Sequence, residues 1–317
     1  MKKQIAIPQL HLSKLNPATR RQSVRKNAVL YYMLIPAILL TFIFSYLPMA
    51  GLIIAFQDYK PWLGISKSTW VGWDNFRMIF LRNDSMQIIW NTFIIAIMKI
   101  TAGLIAPIVF SLLLNEVRNI GYKKYIQTLV YLPHFLSWVI LGGILVDMLS
   151  SDGFFNGILL PMLHLKPIMF LLDGNWFRFV VVISDVWKEF GFSTIVFLAS
   201  LAGINPALYE AAEIDGATRW KQTIHITLPS MIPIIIVVGT LSLGNILNAG
   251  FDQIFNLYNS MVYEKGDIID TFVYRVGLLS SQFSFATAIG MFKSLVGLIM
   301  IVITYRFAEK FANYRIF

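Results

Sequence analysis

The chain alternates between long apolar runs and short polar connections. Six of the runs are long enough to cross a bilayer, which requires about 20 apolar residues. They lie at residues 29–56, 88–114, 126–150, 178–203, 231–250 and 285–307. Beyond Arg178 at its start, the fourth run carries three charges, and the fifth is rich in Gly and Asn. The pattern predicts an all-α polytopic membrane protein with six transmembrane helices.

Composition supports this class. Of the 317 residues, 57% are hydrophobic and 14% are charged, whereas soluble domains carry about 25% charged residues. The net charge of +9 could indicate a nucleic-acid-binding protein. The basic residues, however, are concentrated between the apolar runs, as expected for a topology signal. We therefore expect membrane lipid as the surroundings and no nucleic-acid partner.

The distribution of Lys and Arg predicts the orientation. Fifteen basic residues lie in the N-terminal tail, the second and fourth connections and the C-terminal tail, against seven in the remaining connections. The positive-inside rule then places both termini in the cytoplasm, with residues 1–28 as a basic cytoplasmic tail. The first apolar run is too long for a cleavable signal peptide, so we expect it to remain as a span.

The sequence offers little for catalysis. Cysteine is absent, and the four histidines lack the spacing of a metal motif. No phosphate-binding loop, nucleophile elbow or zinc-protease motif is present. We therefore expect no catalytic residue, no metal and no cofactor in this chain.

The polar segment at 204–230 has the pattern of two short helices. Asn205 can cap a helix that starts at Pro206 and runs to Ile214. Gly216 permits the left-handed conformation that ends helices, and a second helix is predicted over 217–224. Small and acidic side chains dominate the segment, which suits close docking against a basic partner; they are Glu210, Ala211, Ala212, Glu213, Asp215 and Ala217. The alternative is an amphipathic hairpin that lies on the lipid.

The spacing within this segment is distinctive. Glu210, Ala211 and Ala212 are followed by Gly216 and then by a terminal Ile-x-Leu-Pro at 226–229. This arrangement resembles the signature loop of ABC-importer permeases. Segments 46–59, 70–76, 251–258 and 270–275 resemble the carbohydrate-uptake branch. Within that branch they are similar to the LplB-like polysaccharide permeases, a group that includes the first membrane subunit of an alginate importer.

The resemblance implies a type I (MetI-like) permease fold over residues 29–317, located in the cytoplasmic (inner) membrane. It implies a homologous permease as partner, two ATP-binding subunits that hold ATP and Mg, and an extracytoplasmic solute-binding protein. The helix around Glu210 to Gly216 would couple this chain to one ATPase. The solute would be an oligosaccharide derived from a polysaccharide, with a uronate-rich one, as in alginate, favoured.

Two polar groups are candidates for the solute path. In the fourth run, Asp185, Lys188 and Glu189 share one helix face beside Trp187, by their spacing of three and four residues. Ionisable residues within a span usually face a cavity or a partner. The alternative is an internal ion pair with a packing role.

In the fifth run, Ser242, Asn245, Asn248 and Asp252 have near-helical spacing and predict a polar stripe along one helix. Amide and carboxylate groups bind sugar hydroxyls well, and the aromatic rings nearby suit sugar C–H surfaces. The alternative is interhelical hydrogen bonding, which is common for Asn within spans.

Two isolated lysines, Lys99 and Lys293, lie within or near the second and sixth runs. We expect each to pair with an acidic side chain. The alternatives are that they extend to the membrane surface or attract an anionic sugar.

Three other functions remain as alternatives. The solute could be a neutral sugar or another compound. A membrane-bound glycan enzyme would need paired carboxylates or a metal site, for which Asp267 and Asp270 are the nearest candidates, with nothing completing a site around them. A passive channel or proton-coupled transporter would not need the segment at 204–230.

Overall fold

The computed structural model describes residues 28–312, so the predicted basic tail up to residue 27 lies outside the described residues. Within 28–312, five helical stretches are long and apolar enough to span a membrane, and a sixth is reached when one bent pair counts as a single span. The pair consists of Gly174–Ala202 and Pro206–Ile214, which meet at 68°. The prediction of a six-span helical membrane protein is confirmed with the bent pair included.

The described chain divides into two units, with the boundary between Ile53 and Ile54. The described part of the first unit is continuously helical. An α-helix at Ala28–Thr41 contains Pro36 and passes into a π-helical turn at Phe42–Tyr46. A 3₁₀ helix at Leu47–Phe56 follows and crosses the unit boundary.

The second unit is built around two long helices, Asn83–Asn115 and Gly174–Ala202, which pack against each other along much of their length. The last helix, Phe283–Ala312, packs against Leu228–Gly244. The core between these helices is apolar and includes Ile95, Phe177, Ile254, Ile269 and Ala288, all nearly inaccessible to solvent.

The segment 57–82 contains a small departure from the all-α prediction. Gln57–Asp58 pairs antiparallel with Thr69–Trp70, with Gln57 opposite Trp70. The Asn75 amide donates to the carbonyls of Ala55 and Gln57, so it holds the following helix against this strand pair. The helices of the segment are Gly64–Lys67 and Asp74–Leu81.

The third predicted span, 126–150, is wrong in its bounds. The helix Ile120–Tyr131 passes into a 3₁₀ turn at Leu132–Phe135 and then stops, because Leu136 and Ser137 are extended. Pro133 and the Ser137 cap, whose hydroxyl accepts from the Ile140 amide, explain the break. The chain resumes as helices Trp138–Leu149, Phe154–Leu159 and Leu160–Met162.

The fifth predicted span, 231–250, is also wrong at its end. Helices Arg219–Gln222 and Thr223–Thr227 lead into Leu228–Gly244, which ends six residues early. A non-helical break follows, and Gly250 adopts φ +98, a conformation that favours glycine. The remaining helices are Phe251–Leu257, Ser260–Val262, Tyr263–Gly266, Ile269–Tyr274 and Arg275–Leu279.

Candidate functional site

Lys99 is the centre of a buried polar network. It lies on the helix Asn83–Asn115 and is 8% exposed. Its Nζ atom donates to Asp185 Oδ1 at 3.1 Å, to the Ala249 carbonyl at 2.7 Å and to Gln253 Oε1. The expectation that Lys99 pairs with an acidic side chain is confirmed. The network joins two long helices to the break that follows Gly244.

Gln253 completes this network and was missed in the sequence. Its side chain is fully buried, and its Nε2 atom donates to the Val181 carbonyl at 2.7 Å and to Ser184 Oγ at 2.8 Å. Buried amides require partners for both their donor and acceptor atoms, and Gln253 has them. The available signal was a Gln between Asp252 and Ile254 in a segment that also contains Phe251 and Phe255, which by itself points to no particular partner.

A cavity of about 260 Å³ opens beside the network. Three predicted path residues, Asp185, Asn245 and Asn248, line it together with Ser242. Asn245 and Asn248 are exposed, and their side chains bond only weakly to each other, with Asn248 Nδ2 at 3.4 Å from Asn245 Oδ1. The structure thus gathers polar groups from both predicted clusters into one solvent-accessible space.

The polar stripe predicted along the fifth span does not form as one helix. The helix ends at Gly244, so Asn245 and Asn248 lie in the break instead. Asp252 belongs to the next helix, is exposed, and is not among the residues lining the cavity. Local hydrogen bonds stabilise the break: Asn245 Nδ2 donates to the Leu241 carbonyl at 3.2 Å, and the Asn248 main-chain amide donates to the Asn245 carbonyl at 2.8 Å.

Lys188 and Glu189 form a separate cluster. Lys188 Nζ donates to Glu189 Oε1 and to the His134 carbonyl, both at 2.8 Å. Glu189 Oε2 lies 2.7 Å from His134 Nδ1, and the His134 ring stacks on Phe192 with centroids 4.1 Å apart. These contacts hold the 3₁₀ turn at Leu132–Phe135 against the Gly174–Ala202 helix. They agree with the alternative of an internal ion pair with a packing role.

Two other candidate residues lie away from the polar cavity. Trp187 is half-exposed and lines an apolar cavity of about 360 Å³ with Leu129, Pro133 and Phe190. Lys293 pairs with Asp270 Oδ1 at 2.6 Å, which confirms the expected pairing. Asp185 is therefore the member of the fourth-span cluster that reaches the cavity.

The segment 204–230 forms two helices. The first has the predicted bounds, and the second starts later than predicted. Pro206–Ile214 is capped by Asn205, whose Oδ1 accepts from the Ala207 amide at 3.1 Å. Gly216 adopts φ +72, and the Ala217 amide donates to the Ala212 carbonyl at 2.8 Å. The predicted second helix starts late, at Arg219, because Thr218 is extended and precedes it as the cap residue.

The helix Pro206–Ile214 and the turn that follows it have few side-chain hydrogen bonds to other described residues. The Tyr209 hydroxyl lies 2.9 Å from Thr227 Oγ1, and Gln222 Nε2 donates to the Ala217 carbonyl at 3.3 Å. The apolar side chains of Ile214 and Trp220 are 87% and 72% exposed. The acidic and small residues are exposed too, apart from the half-buried Ala212 and Ala217; the exposed ones are Glu210, Ala211, Glu213, Asp215 and Gly216.

No enzymatic site emerges within residues 28–312. That part of the chain holds no group of three His, Asp or Glu side chains placed to bind a metal. Asp267 is buried, and it accepts hydrogen bonds from Thr271 and Arg275. Burial raises the pKa of Asp267 despite these contacts. With Asp270 bound to Lys293, both carboxylates considered for a glycan enzyme serve internal pairs.

Comparison with known proteins gives one consistent family. Residues 100–313 match the family described as "Binding-protein-dependent transport system inner membrane component". Protein LplB of Bacillus subtilis (strain 168) is 42% identical over 290 residues, which cover 91% of each chain. The polygalacturonan/rhamnogalacturonan transport system permease protein YteP of the same organism is 41% identical over 284 residues, covering 90% of this chain and 88% of YteP.

Solved structures agree with this result. A chain in the crystal structure of a bacterial ABC transporter involved in the import of the acidic polysaccharide alginate is 39% identical, with a TM-score of 0.85. The match covers 92% of this chain and 99% of that chain. A second alginate transporter structure, in complex with an alginate pentasaccharide-bound periplasmic protein, has a TM-score of 0.85 at 38% identity, over 93% of this chain and 99% of that chain.

Proposed function

The chain belongs to the family of binding-protein-dependent transport system inner membrane components, and we propose that it forms part of the path of an oligosaccharide through an ATP-driven importer. Membership makes it a multi-pass permease subunit of the inner membrane and not an enzyme. A passive channel or a proton-coupled transporter would not need the segment 204–230. Family membership therefore favours the importer over both alternatives.

The favoured solute is an oligosaccharide rich in uronate. Two similar proteins support this choice, since the name of one includes polygalacturonan and the other belongs to an importer of the acidic polysaccharide alginate. Both polymers consist of sugar acids. A neutral oligosaccharide is the second candidate, because Lys99, the cation at the cavity, is already bound to Asp185.

The observation that carries the proposal is the cavity at the break of the fifth span. Transporters commonly place their binding sites where a spanning helix is interrupted, since the interruption exposes polar main-chain groups within the membrane. Here the break supplies Asn245 and Asn248, and the facing helix supplies Asp185. Amides and a carboxylate can exchange hydrogen bonds with sugar hydroxyls as the solute passes.

The helix Pro206–Ile214 is proposed to couple the chain to one of two ATP-binding subunits, which would hold ATP and Mg. Its exposed acidic and apolar side chains support docking. A homologous permease would complete the path, and an extracytoplasmic binding protein would deliver the sugar. Both termini and the segment 204–230 would face the cytoplasm, in agreement with the distribution of basic residues.

Substitution of the cavity amides tests the proposal. We expect Asn248→Leu and Asn245→Leu each to reduce sugar uptake at least about tenfold, because loss of hydrogen bonds made to a passing solute costs a few kcal/mol. Uptake is measured in proteoliposomes that contain the complete importer, and assembly is checked by size-exclusion chromatography. Asn256→Leu is the matched control outside the cavity lining. Unchanged uptake in both cavity variants would contradict the proposed path.

A further inference from the structure

The ion pair between Lys99 and Asp185 has a second consequence that rests on the proposed function. Both residues line the cavity, and its other lining residues are uncharged. Nζ and Oδ1 are 3.1 Å apart, so the two charges compensate each other at short range. The cavity therefore offers polar atoms to a solute while carrying no net charge.

The two partners are not equally available to a solute. The Lys99 side chain is 9% exposed, and its three N–H groups already have three acceptors within the chain. The Asp185 side chain is 26% exposed, and only Oδ1 accepts a hydrogen bond from another described residue. A solute hydroxyl can thus bond to Asp185 Oδ2, whereas a solute carboxylate cannot bond to Lys99 without displacing an existing acceptor.

We propose that the Lys99–Asp185 pair sets the charge preference of the solute path, because it cancels the two charges and lets both acidic and uncharged sugar units pass. The role of Asp185 in the pair is to compensate the ammonium as well as to bind hydroxyls. The role of Lys99 is to compensate the carboxylate while it positions the break through Ala249 and Gln253.

Removal of Asp185 and removal of Lys99 should shift the charge preference of the solute path in opposite directions. In Asp185→Asn the ammonium keeps its contacts with Ala249 and Gln253 but loses its counter-charge, so the cavity becomes positive. In Lys99→Met the carboxylate is left alone, so the cavity becomes negative. One elementary charge within several ångströms of a solute carboxylate changes its free energy enough for about a tenfold effect at an intermediate dielectric.

The test compares each sugar acid with its own methyl ester, which removes the charge and keeps most of the shape. Trisaccharides of galacturonate and of alginate are supplied, as free acids and as esters, to the complete importer in proteoliposomes. The ratio of acid to ester uptake is measured for each variant relative to the wild type. Selection by the binding protein cancels in this comparison because the same binding protein is used throughout.

We expect Asp185→Asn to raise the acid-to-ester ratio about tenfold and Lys99→Met to lower it by a similar factor. The double variant should return close to the wild-type ratio. Asp270→Asn and Lys293→Met are matched controls, since they make the same charge changes in a pair that does not line the cavity. Their ratios should stay within about twofold of the wild type.

A purely structural role of the pair would lower uptake of acid and ester equally and leave the ratio unchanged. That result, or a shift in the same direction in both single variants, would overturn the inference while the proposed function stands. If Lys99→Met does not assemble, Asp185→Asn still decides the question, because an unchanged acid-to-ester ratio in that variant overturns the inference. Uptake of none of the four sugars by the wild type would instead contradict the uronate-rich solute of the proposed function, and with it this inference.

Discussion

Two polar regions of this protein differ in where their polar groups find hydrogen-bond partners. Around Lys99, donors and acceptors are buried and bound to one another, and three separate helical segments meet there. Along the segment 204–230, the acidic side chains are exposed, and Ile214 and Trp220 expose apolar surface as well. The first region is organised within the chain, whereas the second is arranged to contact something outside it.

The difference follows from the cost of burial. A buried polar group without a partner costs about 1–3 kcal/mol, so the Lys99 region must satisfy its groups internally in order to fold. Exposed groups bear no such constraint, because water satisfies them. The helix Pro206–Ile214 can therefore keep its shape with a cap, one turn and a few hydrogen bonds, while its outward face remains available to a partner.

The largest expected effect is at Gly216. Its φ of +72 is strained for a β-branched residue, by about 1–2 kcal/mol, although there is open space for a Cβ atom. We expect Gly216→Val to displace the coupling helix and to abolish recovery of the ATP-binding subunit in a mild-detergent pull-down followed by mass spectrometry. A Glu210→Ala variant, which leaves the turn intact, should weaken the recovery less.

Gly64→Val is the matched control, because Gly64 has a similar φ of +68 and equally open surroundings but lies between the first and second spans. It should retain the ATP-binding subunit. Equal retention in Gly216→Val and Gly64→Val would show that the shape of the 204–230 segment does not matter for coupling.

A smaller effect, confined to stability, is expected at Gln253. Gln253→Leu removes an acceptor from Lys99 and the amide donor from Ser184 and Val181. We expect a loss of about 2–4 kcal/mol in the free energy of unfolding, because buried groups lose their partners. Thermal unfolding of the detergent-solubilised complex measures it as a lowered Tm. Asp252→Leu, at an exposed neighbouring position, should leave the Tm nearly unchanged, and a similar drop in both variants would argue against a special role of the buried network.

The exposed helix of the two regions could be predicted from the sequence. The Asn205 cap, Pro206 and Gly216 act locally, so the helix Pro206–Ile214 can be located from the amino-acid pattern alone. The breaks at 136–137 and 245–250 were missed, because apolar residues continue on both sides and hydropathy does not register a change of direction.

The Lys99 network depends on contacts between distant parts of the chain. That Lys99 would need an acidic partner follows from its place in an apolar run, but the choice of Asp185 depends on how two helices pack. Gln253 lies in a short helix after a break that was itself not foreseen. Its role could not be inferred from a single sequence.

The most direct test of the solute path uses the absence of cysteine from this chain. Asn248→Cys then carries its only thiol, and its alkylation by a small water-soluble reagent can be followed during ATP turnover in the complete importer. Met261→Cys, at an exposed position away from the cavity, serves as the control. We expect the transported sugar to slow alkylation at position 248 several-fold and to leave position 261 unaffected. Equal alkylation rates at position 248 with and without the sugar would contradict the claim that the cavity is on the solute path.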